Sequence, residues 1–381
     1  MDTHKLISKP EVLAPAGDWE CLQAAVANGA DAVYFGLTEF NARHRAHNFN
    51  SAELPKIMQY LHERNVKGYL TFNILIFTQE FPTALKLLEK AKAAMVDAVI
   101  VQDLGLAYAI QQLLPGLAVH ASTQMTMTEP YAINLVKELG IQRVILAREL
   151  SVTDIGKIRS ATDIPLEVFV HGALCVSYSG QCLTSEALGG RSANRGQCAQ
   201  ACRLPYELIV DGKQKELGDR SYLLSLQDLA AHELVPELMK HGVVSFKIEG
   251  RLKKADYVAA TVQAYRRAID GHLLEKQQML ELEQTFSRGL TTGFLGGINH
   301  QTLVPGRSPK KRGISIGKVI DVHKSGVSVQ LADTTVPVEW IVKAGDGIVF
   351  DAGKPEEDEV GGRVWKVLIQ DEHKIELILD R

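Results

Sequence analysis

The sequence of 381 residues lacks a long apolar run, and none follows its first residues, Met1–Lys5. It therefore contains neither a recognisable secretory signal nor a stretch of about 18 apolar residues that could span a bilayer. An excess of one charge is also missing. The formal net charge is −3 at pH 7, which predicts no overall attraction to nucleic acid or to anionic membranes. We expect a cytoplasmic protein without membrane contact.

Cysteine is scarce, and its distribution is uneven. The chain has five cysteines, of which Cys21 stands alone and the other four lie between residues 175 and 202. Structural disulfides are rare in the reducing cytoplasm, so clustered cysteines there indicate metal binding or catalysis. The sequence also lacks the His-Glu-x-x-His pattern of zinc peptidases.

Eight short apolar runs, rich in Val, Ile, Leu and Phe, occur in the first 250 residues, with helical spacing between them. Near-continuous runs of this length are typical of parallel strands buried on both faces. No Gly-x-Gly-x-x-Gly follows the first run, which disfavours an open, doubly wound sheet. We therefore predict a (β/α)8 TIM-like barrel, with the open sheet as the alternative. The runs are Glu11–Ala16, Ala32–Leu37, Gly68–Ile74, Ala98–Gln102, Ala118–Ser122, Arg143–Ala147, Glu167–His171 and Val243–Ile248.

The composition also predicts domain limits. The barrel domain would span residues 1–300 and contain an insertion at 172–242 that carries all four clustered cysteines. A loop of this length in a compact domain is usually functional or disordered, and its cysteines favour a function. Residues 301–312 are rich in proline, glycine and basic residues, which is typical of a linker. Five short runs separated by turns follow in residues 313–381 and predict a small C-terminal β-barrel.

The four cysteines have the spacing Cys-x6-Cys-x15-Cys-x3-Cys, at Cys175, Cys182, Cys198 and Cys202. Zinc sites usually use two Cys-x2–4-Cys pairs, and only the second pair here has that form. A glycine-rich loop can instead wrap four thiolates around a 4Fe–4S cluster, which tolerates irregular spacing. The spacing favours an iron–sulfur cluster and leaves zinc, or structural or redox thiols, as alternatives.

The segment Glu167–Ser185 resembles the signature of peptidase family U32, the collagenase-like peptidases of unknown catalytic type. The resemblance covers roughly residues 10 to 300, and the cysteine signature is its most specific part. Other segments that resemble the family are Leu13–Gly17, Gly29–Gly36, His120–Gln124, Arg148–Ser151, Asn194–Cys198 and Lys247–Arg251.

The activity that the resemblance implies is not proteolysis. Characterised members act in oxygen-independent hydroxylation, either of a base in ribosomal or transfer RNA or of a ring in ubiquinone synthesis. The resemblance implies a 4Fe–4S cluster on the four cysteines and, for the RNA-modifying members, dependence on prephenate. The segments Asn194–Tyr206 and Tyr257–Asp270 are most similar to members that hydroxylate a cytidine of 23S ribosomal RNA. Members of that type are longer at the C-terminus, which leaves the substrate nucleotide open.

Candidate site residues follow from the barrel rule that catalytic groups lie where strands end at the C-terminal face. Polar residues at such ends also serve as caps and turn formers, which is the alternative for each of them. Those at or just after the predicted strand ends are Asn73, Gln102, Asp103, His120, Ser122, Gln124, Arg148, Glu149, His171, Lys247, Glu249 and Arg251.

Chemistry and the family segments together suggest roles. We predict catalytic roles for His120, Glu249 and Arg251, because an imidazole or carboxylate can move a proton. Arg148, Arg251 and Lys247 could clamp a dicarboxylate such as prephenate, since guanidinium groups bind carboxylates through two hydrogen bonds. The predicted substrate-binding residues are Asn73, Gln124, Arg148, Glu149, His171 and Lys247.

RNA contact has local support in the basic pairs Lys253–Lys254 and Arg266–Arg267 and in Lys310–Arg312, each of which could equally be a solvated face. The predicted function is an iron–sulfur RNA base hydroxylase that acts on rRNA or tRNA. One alternative is a peptidase, as the family's name implies. The other is a non-enzymatic RNA-binding or assembly protein in which the cluster is only structural.

Overall fold

Eight parallel strands close into a barrel in the computed structural model, which describes residues 9–43, 45–352 and 359–380. Each strand pairs with the next in chain order, and the eighth pairs with both the seventh and the first. The predicted (β/α)8 barrel is therefore confirmed. Its strands are β1 Glu11–Ala16, β2 Ala32–Gly36, β3 Lys67–Phe72, β4 Ala98–Val101, β5 Ala118–Ala121, β6 Ile141–Ile145 and β7 Leu166–Ala173, with the eighth at Val243–Ile248.

The helices of the barrel begin where the sequence supplies caps. Asp18 accepts a hydrogen bond from the Cys21 amide at the first helix, and Ser151 and Asp154 form a capping box at the sixth. These caps satisfy amide groups that have no partner inside the helix. The helices between strands β1 and β7 are α1 Trp19–Ala27, α2 Leu54–His62, α3 Phe81–Ala93, α4 Leu104–Leu113, α5 Pro130–Glu138 and α6 Val152–Ala161.

The long connection between β7 and the eighth strand contains little regular structure. One of its short strands, Asp228–Ala230, pairs antiparallel with the end of β7, so that Ala230 lies opposite His171. The elements that follow β7 are α7 Thr184–Gly189, β8 Leu208–Val210, β9 Lys213–Lys215, β10 Asp228–Ala230, α8 Val235–Lys240, β11 Val243–Ile248, α9 Ala255–Ile269, α10 Lys276–Thr285, β12 Leu290–Thr291 and α11 His300–Leu303. Strand β11 is the eighth strand of the barrel.

The C-terminal segment forms a separate antiparallel half-barrel sheet of five strands, in the order β13-β14-β17-β16-β15. Alternating apolar residues on β14 and β17, among them Val329 and Ile375, form its core, as the predicted small β domain requires. Its elements are β13 Gly317–Val322, β14 Gly326–Leu331, α12 Val338–Ile341, β15 Gly347–Val349, β16 Gly361–Ile369 and β17 Lys374–Leu379.

The chain divides into two compact units, and each unit is made of three separate stretches of sequence. The barrel unit comprises Met1–Ala201, Leu226–Leu273 and Thr291–Leu303. The second unit comprises Cys202–Ser225, Leu274–Leu290 and Val304–Arg381. Part of the long insertion therefore groups with the C-terminal sheet by contacts within the chain. The predicted limits at residues 300 and 312 stay a prediction.

Candidate active site

A polar cavity lies at the C-terminal ends of the barrel strands. Four cationic side chains and one carboxylate line it, and the remaining lining is mostly hydroxyl, amide and aromatic. The charged residues are Arg43, Arg148, Lys247, Glu249 and Arg251, and the others include Tyr34, Thr71, Asn73, Ser122, Thr123, Gln124 and Phe169. A cavity with this excess of positive charge is suited to an anionic ligand.

Glu249 is the carboxylate of the cavity, and Arg43 is its ion-pair partner. The guanidinium reaches both carboxylate oxygens, with Nη2 at 3.1 Å from Oε2 and Nε at 3.3 Å from Oε1. Burial alone would raise the pKa of Glu249, but Arg43, Arg148 and Arg251 together hold it below its usual range. Glu249 is therefore ionised at neutral pH and can accept a proton.

Arg251 is buried, with 4% of its surface exposed, and its two hydrogen-bond partners among the described residues are neutral. Nη1 donates to the Thr71 hydroxyl at 3.0 Å, and Nη2 donates to the Asn41 side-chain oxygen at 3.2 Å. Burial, with the neighbouring charge of Arg43, lowers the pKa of Arg251 to about 10. The guanidinium remains charged at neutral pH, in a place where that charge is costly.

Arg148 follows strand β6 and is half-buried. One nitrogen, Nη1, donates to the Ala173 carbonyl at 2.9 Å, whereas its buried Nε has no hydrogen-bond partner among the described residues. The neighbouring Glu149 does not line the cavity. Its carboxylate accepts hydrogen bonds from the amide and, at 2.8 Å, from the hydroxyl of Ser179. Glu149 thus anchors the segment between the first two cysteines.

Lys247 connects the cavity to a ladder of buried charges inside the barrel. Its ammonium lies 3.1 Å from Oε1 of Glu167, which is fully buried. The other Glu167 oxygen lies 3.3 Å from Arg143, which also pairs with Glu11 at 2.6 Å. Burial lowers the pKa of Lys247, and Glu167 partly opposes that shift.

Two of the four cationic side chains in the cavity have no carboxylate partner among the described residues. Arg43 pairs with Glu249, and Lys247 pairs with Glu167. Within the described part of the chain, neither Arg148 nor Arg251 contacts a carboxylate. Two buried or half-buried guanidiniums that face one cavity form a binding site for a small anion, because the anion would supply the missing charge.

The two candidate histidines lie elsewhere. His120 is buried beside Tyr69, with ring centroids 5.0 Å apart, and it does not line the cavity. Burial and the nearby cations Arg143 and Lys247 lower its pKa, so the ring is neutral. His171 packs between Tyr257 and Tyr265 on helix α9, outside the cavity. Burial lowers the pKa of His171 to about 4.

Three of the clustered cysteines, Cys175, Cys182 and Cys198, belong to the barrel unit, and Cys202 begins the second unit. None of the four cysteines forms a disulfide bond. Among the described residues, no three His, Cys, Asp or Glu side chains lie together as they would around a single metal ion.

The cysteine segment lies directly on the mouth of the barrel. A Cβ atom at Gly180 would collide with the Gln124 carbonyl oxygen, and one at Gly196 with that of Asn41. Both glycines have positive φ, which other residues rarely adopt. Arg195 adds a two-point ion pair with Glu80, at 2.6 and 2.7 Å. Cys198 is close enough to Arg43 to raise its pKa, although Glu249 contributes more.

Six of the nine residues predicted for catalysis or substrate binding line the cavity together, and their roles stay a prediction. His120, Glu149 and His171 are the three that do not. Sequence reasoning missed Arg43, which lies in the loop after β2 rather than at a strand end. The amide that precedes it, of Ala42, donates to the Asn73 side chain at 3.1 Å, so Asn73 also positions this loop. A basic residue in a loop carries no signal that distinguishes it from a solvated one.

Comparison with known proteins identifies the family. The model of peptidase family U32 matches residues 17–305, which is most of the chain. The chain belongs to peptidase family U32. Within this family it is 42% identical over 333 residues to an uncharacterized protease of Methanocaldococcus jannaschii, covering 82% of this chain and 81% of that protein.

Two further U32 relatives are named for RNA modification. The 23S rRNA 5-hydroxycytidine synthase of Escherichia coli K12 is 35% identical over 346 residues, which is 87% of this chain and 52% of that protein. The chain therefore spans about half of that relative. A tRNA hydroxylation protein of Bacillus subtilis is 35% identical over 304 residues, covering 77% of this chain and 72% of that protein.

Two further features bear on what this U32 member does. In the described part of the chain, no helix is both long and apolar enough to cross a membrane. A Gly-x-Ser-x-Gly pattern occurs at Gly313–Gly317. It leads into the antiparallel strand β13, whereas a hydrolase nucleophile of this type lies between a parallel strand and a helix. The pattern therefore does not indicate a serine hydrolase.

Proposed function

We propose that this U32 member hydroxylates a base of ribosomal or transfer RNA without using molecular oxygen. The observation that carries the proposal is its 35% identity, over most of the chain, to both an rRNA hydroxycytidine synthase and a tRNA hydroxylation protein. The segments Asn194–Tyr206 and Tyr257–Asp270, which resemble the rRNA type, favour ribosomal RNA. An enzyme of cellular RNA would work in the cytoplasm, as the sequence predicts.

The cavity supports a small dicarboxylate, such as prephenate, as co-substrate. Arg148 and Arg251 have no carboxylate partner among the described residues, and the Arg148 Nε is buried without a hydrogen bond. Two carboxylates of one ligand would satisfy both guanidiniums through charge-assisted hydrogen bonds. The ionised Glu249 between them would repel a third negative group, which favours a ligand with a neutral or protonated part at that position.

A 4Fe–4S cluster on Cys175, Cys182, Cys198 and Cys202 completes the proposal, with zinc as the alternative. The chemistry of the donors fits, because four thiol side chains lie outside any disulfide and the loop that carries three of them is anchored at two places on the barrel. When bound, such a cluster would supply electron transfer or polarise a bound oxygen atom.

The residues of the chain have separable tasks in this scheme. Arg148 and Arg251 bind the carboxylates of the co-substrate, and Asn73 holds the loop that carries Arg43. Glu249 is ionised and can accept a proton from a group bound in the cavity. His120 does not line the cavity and packs against Tyr69, near Arg143 and Lys247.

The test is nucleoside mass spectrometry of rRNA and tRNA from a strain that lacks the gene. We expect one hydroxylated nucleoside to disappear and to return with the wild-type gene but not with the Cys198→Ala variant. Anaerobically purified protein should be brown and contain iron and sulfide. A colourless protein with bound zinc, or unchanged RNA in the deletion strain, would refute the corresponding part of the proposal.

A peptidase is the second candidate, supported by the name of the archaeal relative. It predicts that purified protein cleaves denatured collagen and that Cys175→Ala abolishes the cleavage. If RNA modification requires the protein but survives the joint substitution of Arg148 and Arg251, a non-enzymatic RNA-binding role would be favoured instead.

A further inference from the structure

Lys247 differs from the other cations of the cavity in its chemistry. Arg43, Arg148 and Arg251 cannot lose a proton under physiological conditions, whereas a lysine can become a neutral amine. Among the described residues that line the cavity, Lys247 is the only lysine. It is 3% exposed, so a charge at this position has little water to stabilise it.

We infer that Lys247 is a carbonyl-reactive amine, which forms an imine with a small keto acid bound by Arg148 and Arg251. The inference rests on the proposed function in one respect: it takes the same cavity as the co-substrate site. It goes further in assigning a covalent step and in requiring a ketone or aldehyde carbonyl on the ligand.

The surroundings of the amine suit such a reaction. Nζ lies over the Tyr34 ring, 4.4 Å from its centroid, and 5.4 Å from the Phe169 centroid. These rings line the same cavity and limit the access of water to the amine. A desolvated lysine with cationic neighbours loses its proton more easily than a solvated one, and burial lowers the pKa of Lys247 accordingly.

A proton acceptor is already in contact with the amine. Glu167 Oε1 lies 3.1 Å from Nζ, and Arg143 holds the other oxygen of the same carboxylate. Transfer of the proton from the ammonium to Glu167 converts a buried ion pair into a neutral amine and a neutral acid. Arg143 keeps its ion pair with Glu11 when Glu167 accepts the proton, so it is not left without a carboxylate partner.

The ligand class follows from the arrangement of groups. A carboxylate bound by Arg148 and Arg251 would hold the rest of a small ligand in the same cavity that Lys247 lines. A carbonyl carbon of that ligand could then meet the amine. The structure therefore favours a keto acid over a simple dicarboxylate such as succinate, which could bind but could not react.

The step balances without a further reactant. The neutral amine adds to the carbonyl carbon, and a C–N bond forms while the C=O double bond becomes a hydroxyl group. The hydroxyl then leaves as water, with a proton returned from Glu167, and the C=N bond forms. No group is oxidised or reduced, and the iminium can afterwards be hydrolysed by the reverse steps.

The experiment is reductive trapping with pyruvate as the probe. The full-length protein is incubated with pyruvate, reduced with sodium borohydride, digested and mapped by mass spectrometry. We expect a reduced pyruvate adduct on Lys247, and we expect its loss in Lys247→Arg, which keeps a positive charge. Lys67 is the matched control, because it also pairs with a carboxylate but is half exposed at the opposite end of strand β3.

Three results would overturn the inference: no adduct on Lys247, equal labelling of Lys247 and Lys67, or unchanged labelling in the presence of excess succinate. Folding of Lys247→Arg is checked by circular dichroism, and the wild-type peptide map does not depend on any variant. The assay needs neither RNA nor a metal cluster. A failed hydroxylation test with successful trapping would therefore reject the proposed function alone, and the reverse outcome would reject only the imine.

Discussion

Replacing Arg251 with methionine should raise the stability of the ligand-free protein while removing its response to anions. Methionine fills a similar volume without a charge. In the structure, the Arg251 guanidinium is buried, has two neutral hydrogen-bond partners and lies near Arg43, a second cation. The folded protein therefore carries the cost of a buried charge that only a ligand would neutralise.

The size of this cost follows from the pKa. Burial, with a contribution from Arg43, lowers the pKa of Arg251 from 12.5 to about 10. A shift of this size costs the folded state about 3 kcal/mol at neutral pH, where the group is protonated in both the folded and the unfolded chain. The substitution also removes the hydrogen bonds to Thr71 and to Asn41, whose oxygen still accepts from the Arg43 amide, at about 1 kcal/mol each. The net expectation is a gain of about 1 kcal/mol.

With a bound dicarboxylate, the wild-type protein is the one that gains stability. A dicarboxylate at about 100 times its dissociation constant should stabilise the wild-type protein by about 2.7 kcal/mol. It should have little effect on Arg251→Met, because one of the two guanidiniums that would bind its carboxylates is gone. Both arms are measured by urea unfolding at pH 7, with and without the dicarboxylate.

Arg143→Met is the matched control for this experiment. Arg143 is also a largely buried arginine of the barrel, but it pairs with Glu11 and Glu167. Removing Arg143 breaks two buried ion pairs, although Glu11 keeps Lys67 and Glu167 keeps Lys247, and should cost about 3 kcal/mol. If Arg251→Met lost as much stability as Arg143→Met and still responded to the dicarboxylate, Arg251 would be a structural residue and the anion-site argument would fail.

Three further predictions test other parts of the structure. Gly36→Ala places a Cβ atom against the Arg251 guanidinium and should weaken dicarboxylate binding at least about tenfold, which corresponds to about 1.4 kcal/mol. Gly347→Ala is the control, because a Cβ there meets no neighbour and should leave the binding unchanged. Isothermal titration measures the binding to both variants. His171→Phe should reduce the loss of stability at acid pH. The wild-type protein should lose up to about 3 kcal/mol of stability as the pH falls from 6.5 toward 4, because the unfolded histidine binds a proton that the buried one, with its pKa of about 4, does not. Urea unfolding at pH 7 and pH 4.5 measures this loss, and an equal loss in the two proteins would contradict the prediction. Arg195→Ala removes the two-point contact with Glu80 and should expose residues 190–200 to limited proteolysis, whereas Lys137→Ala, which breaks a more exposed ion pair with Asp163, should leave the digestion pattern unchanged.

The barrel was predictable because its strands carry a local signal. All eight predicted apolar runs overlap strands of the barrel, with ends that differ by a few residues. Buried parallel strands must be apolar on both faces, so the run itself indicates the strand. The same logic brought Lys247, Glu249 and Arg251 to the cavity, since they follow or end the eighth strand at the C-terminal face.

The sequence did not indicate the direction of each side chain at a strand end. A register shift between Lys247 and Ile248 pairs Ile248 with His171, and His171 packs against helix α9 instead of the cavity. His120 points into the barrel but lies beside Tyr69, away from the cavity lining. Successive strand residues alternate in direction, so an irregularity of one residue decides which face a side chain occupies.

By itself, the sequence determined the order of strands and helices and the position of the cysteine-bearing insertion, because both depend on local residue pattern and spacing. Only the tertiary structure decided which charges meet. It pairs Arg43 with Glu249 across about 200 residues and Lys247 with Glu167 across 80, and it leaves Arg148 and Arg251 without a carboxylate among the described residues. The strength of a buried charge interaction depends on distance and burial, which residue order does not contain.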